Sequence, residues 1–120
     1  MALRRAVPVV TVTDLPRAVA EYRAALGLEV LMDHGWIVTL GSGRDAQFSL
    51  IDRDATAGTN PSLSLEVDNV DAAHAAVASS RFEVVHPLSD EAWGVRRFFF
   101  RDRDGNVVNV LSHATESDLP

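Results

Sequence analysis

Apolar side chains recur along this 120-residue chain in two rhythms. Val7, Val9 and Val10 with Thr11 and Val12 form a β-branched run of the kind that favours a strand. Directly after it, Leu15, Val19, Tyr22 and Leu26 fall at i, i+4, i+7 and i+11, which draws one apolar stripe along a helix. Thr13 or Asp14 can cap that helix, Pro16 is tolerated in its first turn, and Gly27 ends it. Further strands are predicted over 28–32, 36–40 and 46–51. Their breaks are Asp33-His34-Gly35 and the flexible Gly41-Ser42-Gly43.

The pattern then repeats. Val12, Leu15, Ala18 and Tyr22 are echoed 55 positions later by Val67, Val70, Ala73 and Val77. After one dropped residue, Leu28-Glu29-Val30 is echoed by Phe82-Glu83-Val84, 54 positions on. Repeats of this kind fix an architecture before any other signal does. The second unit reads as a strand over 62–67, a helix over 70–78, a strand over 82–85, a long loop, and strands over 95–101 and 107–112. Asp104-Gly105-Asn106 marks a hairpin between the last two. The expected fold is α+β, a βαβββ module twice: 4–53, then a small polar linker over 54–61, then 62–113. Helices cover one face of each sheet and leave the other for use. The polar tail after His113 is expected to fray.

Composition narrows the chemistry. An apolar fraction of 47% is ordinary for a globular chain, and no run approaches the length that spans a bilayer. The opening apolar stretch is short and holds Pro8, so it reads as a strand and not a leader, and the expected location is cytoplasmic. There is no cysteine and no lysine, which excludes disulfides, thiolate chemistry and Schiff bases. A net charge of −6 disfavours nucleic acid and leans weakly towards neutral or cationic ligands. Arg96, Arg97, Arg101 and Arg103 cluster, but Asp102 and Asp104 interrupt them.

Three stretches together resemble the vicinal oxygen chelate superfamily of glyoxalases, extradiol dioxygenases, fosfomycin-resistance enzymes and bleomycin-resistance proteins. They are VTDLPRAVAEYRAALGLEV, SLSLEVDNVDAAHAAV and WGVRRFFFRDRDGNVVNVLSH, the last with Arg103 where the family pattern has proline. The resemblance covers residues 5–112 and implies curved open sheets with a ligand cavity completed in a homodimer. It also implies four metal-binding positions, on the first and last strands of both modules. In this sequence those positions carry Val7, Ser62, Asn109 and Ser49, with Gln47 as a second choice for the last. Valine cannot coordinate, and serine and asparagine hold divalent metals weakly. The resemblance is therefore closest to the metal-free, bleomycin-resistance-type branch, with no cofactor expected.

Candidate ligand-binding residues follow. Trp93, beside Gly94, matches a tryptophan that helps form the cleft in bleomycin-resistance proteins, or it packs on its own fold or a dimer partner. Trp36 either lines the cavity or belongs to the core, and Val38 is grouped with it. Strand alternation separates Phe98 and Phe100 from Arg97 and Phe99. Alignment through the hairpin to Asn109, a position that the resemblance implies lines the cavity, puts Phe99 and Arg97 on the cavity face with Val107 and Asn109. Phe98 and Phe100 are left to the helix side. Arg97 can meet an anionic ligand or an acidic neighbour. Ser49 and Ser62 are the remaining relics of the metal positions. His34, His74, His86 and His113 are scattered, with no metal-binding spacing. The expected function is metal-independent capture of a bulky, partly aromatic natural-product antibiotic (bleomycin-, mitomycin- or enediyne-like). The rivals are an atypical isomerase, lyase or hydrolase using Arg97, His34 or His113, and a regulatory or accessory module.

Overall fold

The computed structural model describes residues 1–43 and 45–113. The tail expected to fray lies outside the described residues. Ten elements follow in the expected order. The first module holds β1 (Leu3–Thr11), α1 (Leu15–Leu26), β2 (Glu29–Asp33), β3 (Ile37–Gly41) and β4 (Gln47–Ile51). The second holds β5 (Leu63–Val67), α2 (Val70–Ala78), β6 (Glu83–Asp90), β7 (Val95–Arg101) and β8 (Val107–His113). The fold is α+β and βαβββ twice. The chain forms two compact units. One is Val7–Ser62, and the other is Met1–Ala6 with the chain from Leu63 onward, so β1 contributes to both.

Both units use one pairing scheme. In the first, β1 runs parallel to β4, with β3 antiparallel to β4 and β2 antiparallel to β3. In the second, β5 runs parallel to β8, with β7 antiparallel to β8 and β6 antiparallel to β7. Asp14 and Asn69 cap the helices by accepting from the backbone N–H three residues on, which satisfies a donor that the helix itself cannot. Gly27 closes α1 in the left-handed region at φ 66°, where a residue with a Cβ is strained.

Each helix seals one face of its own sheet. Leu15, Val38, Leu40 and Leu50 form the first core, with Val19 and Tyr22 packed against it. Phe98, Phe100, Val67, Val70, Ala73, Val108 and Val110 form the second. His74 packs edge-on against Phe98, with ring centroids 5.0 Å apart. Leu26 departs from the predicted stripe: it remains exposed, and Leu28 packs against the core just beyond the helix end.

Two local features differ from the sequence reading. The strand predicted over 82–85 continues to Asp90, so it absorbs most of the expected loop. Pro87 within it reads as a breaker, but β6 pairs only with β7 within its unit, and an edge strand tolerates a missing N–H. Register shifts after Val84 and His86 accommodate the irregularity. The 54–61 segment is tied together by side chains. Asn60 accepts from the Asp54 N–H and donates to the Asp52 carbonyl, and Asp54 accepts from both the N–H and the hydroxyl of Thr56.

Phe98 has no exposed surface, so Phe98→Ala is expected to cost about 3–5 kcal/mol in urea unfolding. Phe82 is 44% exposed and stacks on Phe100, so Phe82→Ala should cost only about 1 kcal/mol.

Candidate functional site

The sheet face of the second unit that points away from α2 carries a compact polar and aromatic cluster. Phe98 and Phe100 lie in the helix-side core, so alternation puts Arg97 and Phe99 on the opposite side of β7. The ladders then set the neighbours: Phe99 lies opposite Asn109 on β8 and opposite His86 on β6. The turn between β6 and β7 supplies the rest. Gly94, at φ 89°, lets it close through hydrogen bonds from the Gly94 N–H to the Glu91 carbonyl and from the Glu91 N–H to the Val95 carbonyl. This brings both Glu91 and Trp93 to Arg97.

Arg97 is the hub. Its Nε donates to Glu91 Oε1 at 3.1 Å. Its guanidinium carbon lies 4.9 Å from the Trp93 ring centroid and 4.8 Å from that of Phe99. Such contacts are worth about 0.5–2 kcal/mol, more where water is excluded, and Arg97 is only 4% exposed. His86 is buried beside it, its ring 4.9 Å from Phe99. Its Nδ1 lies 2.8 Å from the Pro87 carbonyl, which can only accept, so Nδ1 carries the proton. That turns Nε2 towards Glu91 Oε1, 3.6 Å away. Asn109 Nδ2 donates to Ser64 Oγ at 3.2 Å, while its Oδ1 is buried with no partner among the described residues.

Of the residues predicted from sequence, Trp93, Arg97, Phe99 and Asn109 meet in this cluster. Val107 is buried two residues before Asn109 on the same strand. In the first unit, Ser49 is buried on the face away from α1 and shares a 2.8 Å hydroxyl–hydroxyl hydrogen bond with Thr39. Ser62 is exposed just before β5, and its carbonyl accepts from the Val9 N–H. Trp36 is half-buried, stacked on His34 with centroids 6.3 Å apart. Val38 does not line the open face. It pairs with Leu50 across the ladder and points with Leu40 into the core beneath α1. His113 lies outside the cluster, exposed, with Nδ1 2.9 Å from Glu66.

Sequence reasoning missed Ser64, His86 and Glu91. Ser64 has the same strand parity as Ser62 and meets Asn109 directly, a relation that the 55-residue repeat applied to Val9 would have exposed. His86 and Glu91 depend on the extension and irregular register of β6, which no local pattern announces.

The residues that the resemblance assigns to a metal do not fit one. Val7 is a buried hydrocarbon, Ser49 is engaged with Thr39, and Asn109 is a neutral amide bonded to Ser64. No group of three or more histidine, aspartate or glutamate side chains converges among the described residues. Beside α2, Asp68, Asp71, Asp90, Glu91, Arg96 and His113 help line a cavity of about 550 Å³. Arg96 there bridges Asp71 at 3.0 Å and Asp90 at 3.3 Å. Its hydrogen bond holds the Asp71 carboxyl below the usual carboxylate range. A second cavity of about 440 Å³ in the first unit lies along Thr11, Thr13, Asp52 and Asn60. None of the expected ligand-binding residues lines either, although His113 lies on the first.

Residues 4–110 match the model of the Glyoxalase/Bleomycin resistance protein/Dioxygenase superfamily. Among solved structures, Streptomyces coelicolor methylmalonyl-CoA epimerase, in complex with 2-nitronate-propionyl-CoA, is similar at 18% identity and a TM-score of 0.73. The match covers 95% of this chain and 97% of that one. A superfamily member from Vibrio splendidus 12B01 is similar at 17% identity and a TM-score of 0.69, covering 92% and 99%. A Legionella pneumophila structure described as an NAD-dependent benzaldehyde dehydrogenase is similar at 14% identity and 0.73, covering 90% and 98%. At these identities the likeness establishes the fold alone. A comparison with curated proteins finds no match.

Glu91→Ala removes the carboxylate partner of a buried guanidinium and is expected to cost about 3–5 kcal/mol in urea unfolding. The double replacement Glu91→Leu with Arg97→Met should recover most of that loss. Equal losses in both proteins would show that the charge pair is not what the single variant breaks.

Proposed function

The chain belongs to the Glyoxalase/Bleomycin resistance protein/Dioxygenase superfamily, and we propose that it is a binding member that captures a small molecule without metal chemistry. The observation that carries this reading is the donor set. At the four positions that the resemblance assigns to a metal, this chain has Val7, Ser49, Ser62 and Asn109. None supplies the imidazole or carboxylate that a Lewis-acid site needs.

The ligand is a bulky, partly aromatic natural product of the bleomycin, mitomycin or enediyne kind, held in the clefts of a homodimer. Half-buried Trp93 supports this reading, since an indole edge next to a stacked guanidinium favours flat, apolar surface. Arg97 is already paired with Glu91, which argues against selection of an anion. Resistance then arises by stoichiometric sequestration, so affinity and abundance set its strength.

A second reading, an atypical isomerase, lyase or hydrolase on the same scaffold, draws on the buried His86–Glu91 pair. An imidazole oriented by a carbonyl and facing a carboxylate can move protons without a metal.

One experiment separates the two. Thermal unfolding is followed with intact bleomycins, mitomycins, enediynes and ordinary metabolites, and the ligand is then recovered and analysed. Sequestration predicts stabilisation by about 2.7 kcal/mol when an antibiotic is present at about 100 times its dissociation constant, with the antibiotic recovered unchanged. Recovery of a chemically altered ligand, lost on His86→Gln, would overturn it in favour of the enzyme.

A further inference from the structure

The loop between β7 and β8 is closed by one residue, Asp102, which commits its backbone and both carboxylate oxygens to it. The Asp102 N–H donates to the Asn106 carbonyl, and the Asp102 carbonyl accepts from the Gly105 N–H at 3.1 Å. Oδ1 accepts from the Asp104 and Asn106 N–H groups at 3.0 and 2.9 Å, and Oδ2 accepts from Asn106 Nδ2 at 2.9 Å. These bonds hold Gly105 at φ 88°, while Asp104 and Gly105 are both exposed to water. Asp104-Gly105 is also the one Asp-Gly step in the sequence, and Asn-Gly does not occur. A glycine after an aspartate has chemical consequences. Without a Cβ, its backbone nitrogen reaches the preceding side-chain carbonyl carbon with little hindrance.

We propose that Asp104-Gly105 is a self-modification site, able to cyclise to a succinimide and reopen as isoaspartate, and that Asp102 guards it by holding the loop shut. The Gly105 nitrogen attacks Asp104 Cγ, a C–N bond forms, and the Cγ hydroxyl leaves as water with the amide proton. Water then opens the ring. Opening at the Asp104 main-chain carbonyl leaves Gly105 joined through Cγ, an isoaspartate of unchanged mass. In the closed loop the attacking N–H is engaged by the Asp102 carbonyl, so the reaction proceeds from the opened loop and its rate follows how often the loop opens. The reacting carboxyl must be protonated, so mildly acidic solution speeds the first step. Asp102 keeps its grip there, because the Asn106 side chain and backbone N–H hold its carboxyl below the usual range. Isoaspartate lengthens the main chain of the turn by a methylene group, and the Arg101–Val107 pair that closes the hairpin then no longer meets in register.

The test incubates the full chain in mildly acidic buffer while it remains folded, and fragmentation mass spectrometry follows isoaspartate at position 104. The same chain unfolded in guanidinium chloride gives the unguarded rate. The folded protein should react at least about tenfold more slowly than that. Asp102→Ala, with its fold checked by circular dichroism, should react about tenfold faster than the folded parent, because three hydrogen bonds to a carboxylate are lost. Asp102→Asn keeps an oxygen for the two backbone N–H groups, so its rate should fall between them, and it carries the test if the alanine variant unfolds. Asp104→Glu should abolish the signal, and the modified parent, separated chromatographically, should melt below the unmodified one. A folded parent as reactive as the unfolded chain, or folded Asp102 variants no faster than the parent, overturns the guarding role. No isoaspartate at position 104 even in guanidinium chloride overturns the site itself, and an unchanged melting temperature of the modified chain overturns the effect on strand pairing.

Discussion

The alternation of side chains along β7 divides the second unit into its two halves. In Val95–Arg101, Phe98 and Phe100 go to one face and Arg97 and Phe99 to the other. The first pair completes the core beneath α2. The second assembles the cluster with Trp93, Glu91 and His86. A slip of one residue would bury Arg97 against α2 and strip the core of its two largest side chains, so register is fixed by energy on both faces at once.

Most of the architecture was legible because its signals are local. The capping aspartate, the glycine ending α1 and the hairpin residues are short-range, and the 55-residue echo carries the same local pattern into the second unit. The hairpin holds one detail that pattern reading does not reach. Asp102 accepts from the Asp104 and Asn106 N–H groups and from the Asn106 side chain, which holds its carboxyl below the usual range.

The candidate site was only half legible. Alternation paired Arg97 with Phe99, and alignment through the hairpin to the position that the resemblance gives Asn109 set their face. The Trp-Gly pair singled out by the resemblance lies in the turn that brings Trp93 to Arg97. Val38, expected to line the cavity, lies instead in the core beneath α1 on the face it shares with Leu40, set by the ladder to Leu50. Ser64, His86 and Glu91 enter through pairings between strands distant in sequence. An edge strand carrying a proline gave no periodic signal to announce two of them.

The chain keeps the superfamily scaffold, and on the proposed reading the positions that the resemblance assigns to a metal carry hydrocarbon, hydroxyl and amide. Its polar cluster is internally neutralised, and that suits recognition by shape and hydrogen bonding better than Lewis-acid chemistry. Equilibrium dialysis against zinc, nickel, cobalt and manganese, with the metal bound per chain counted by mass spectrometry, tests this most directly. The account predicts far less than one equivalent of any of them at micromolar free metal. One tightly held ion per chain would contradict it.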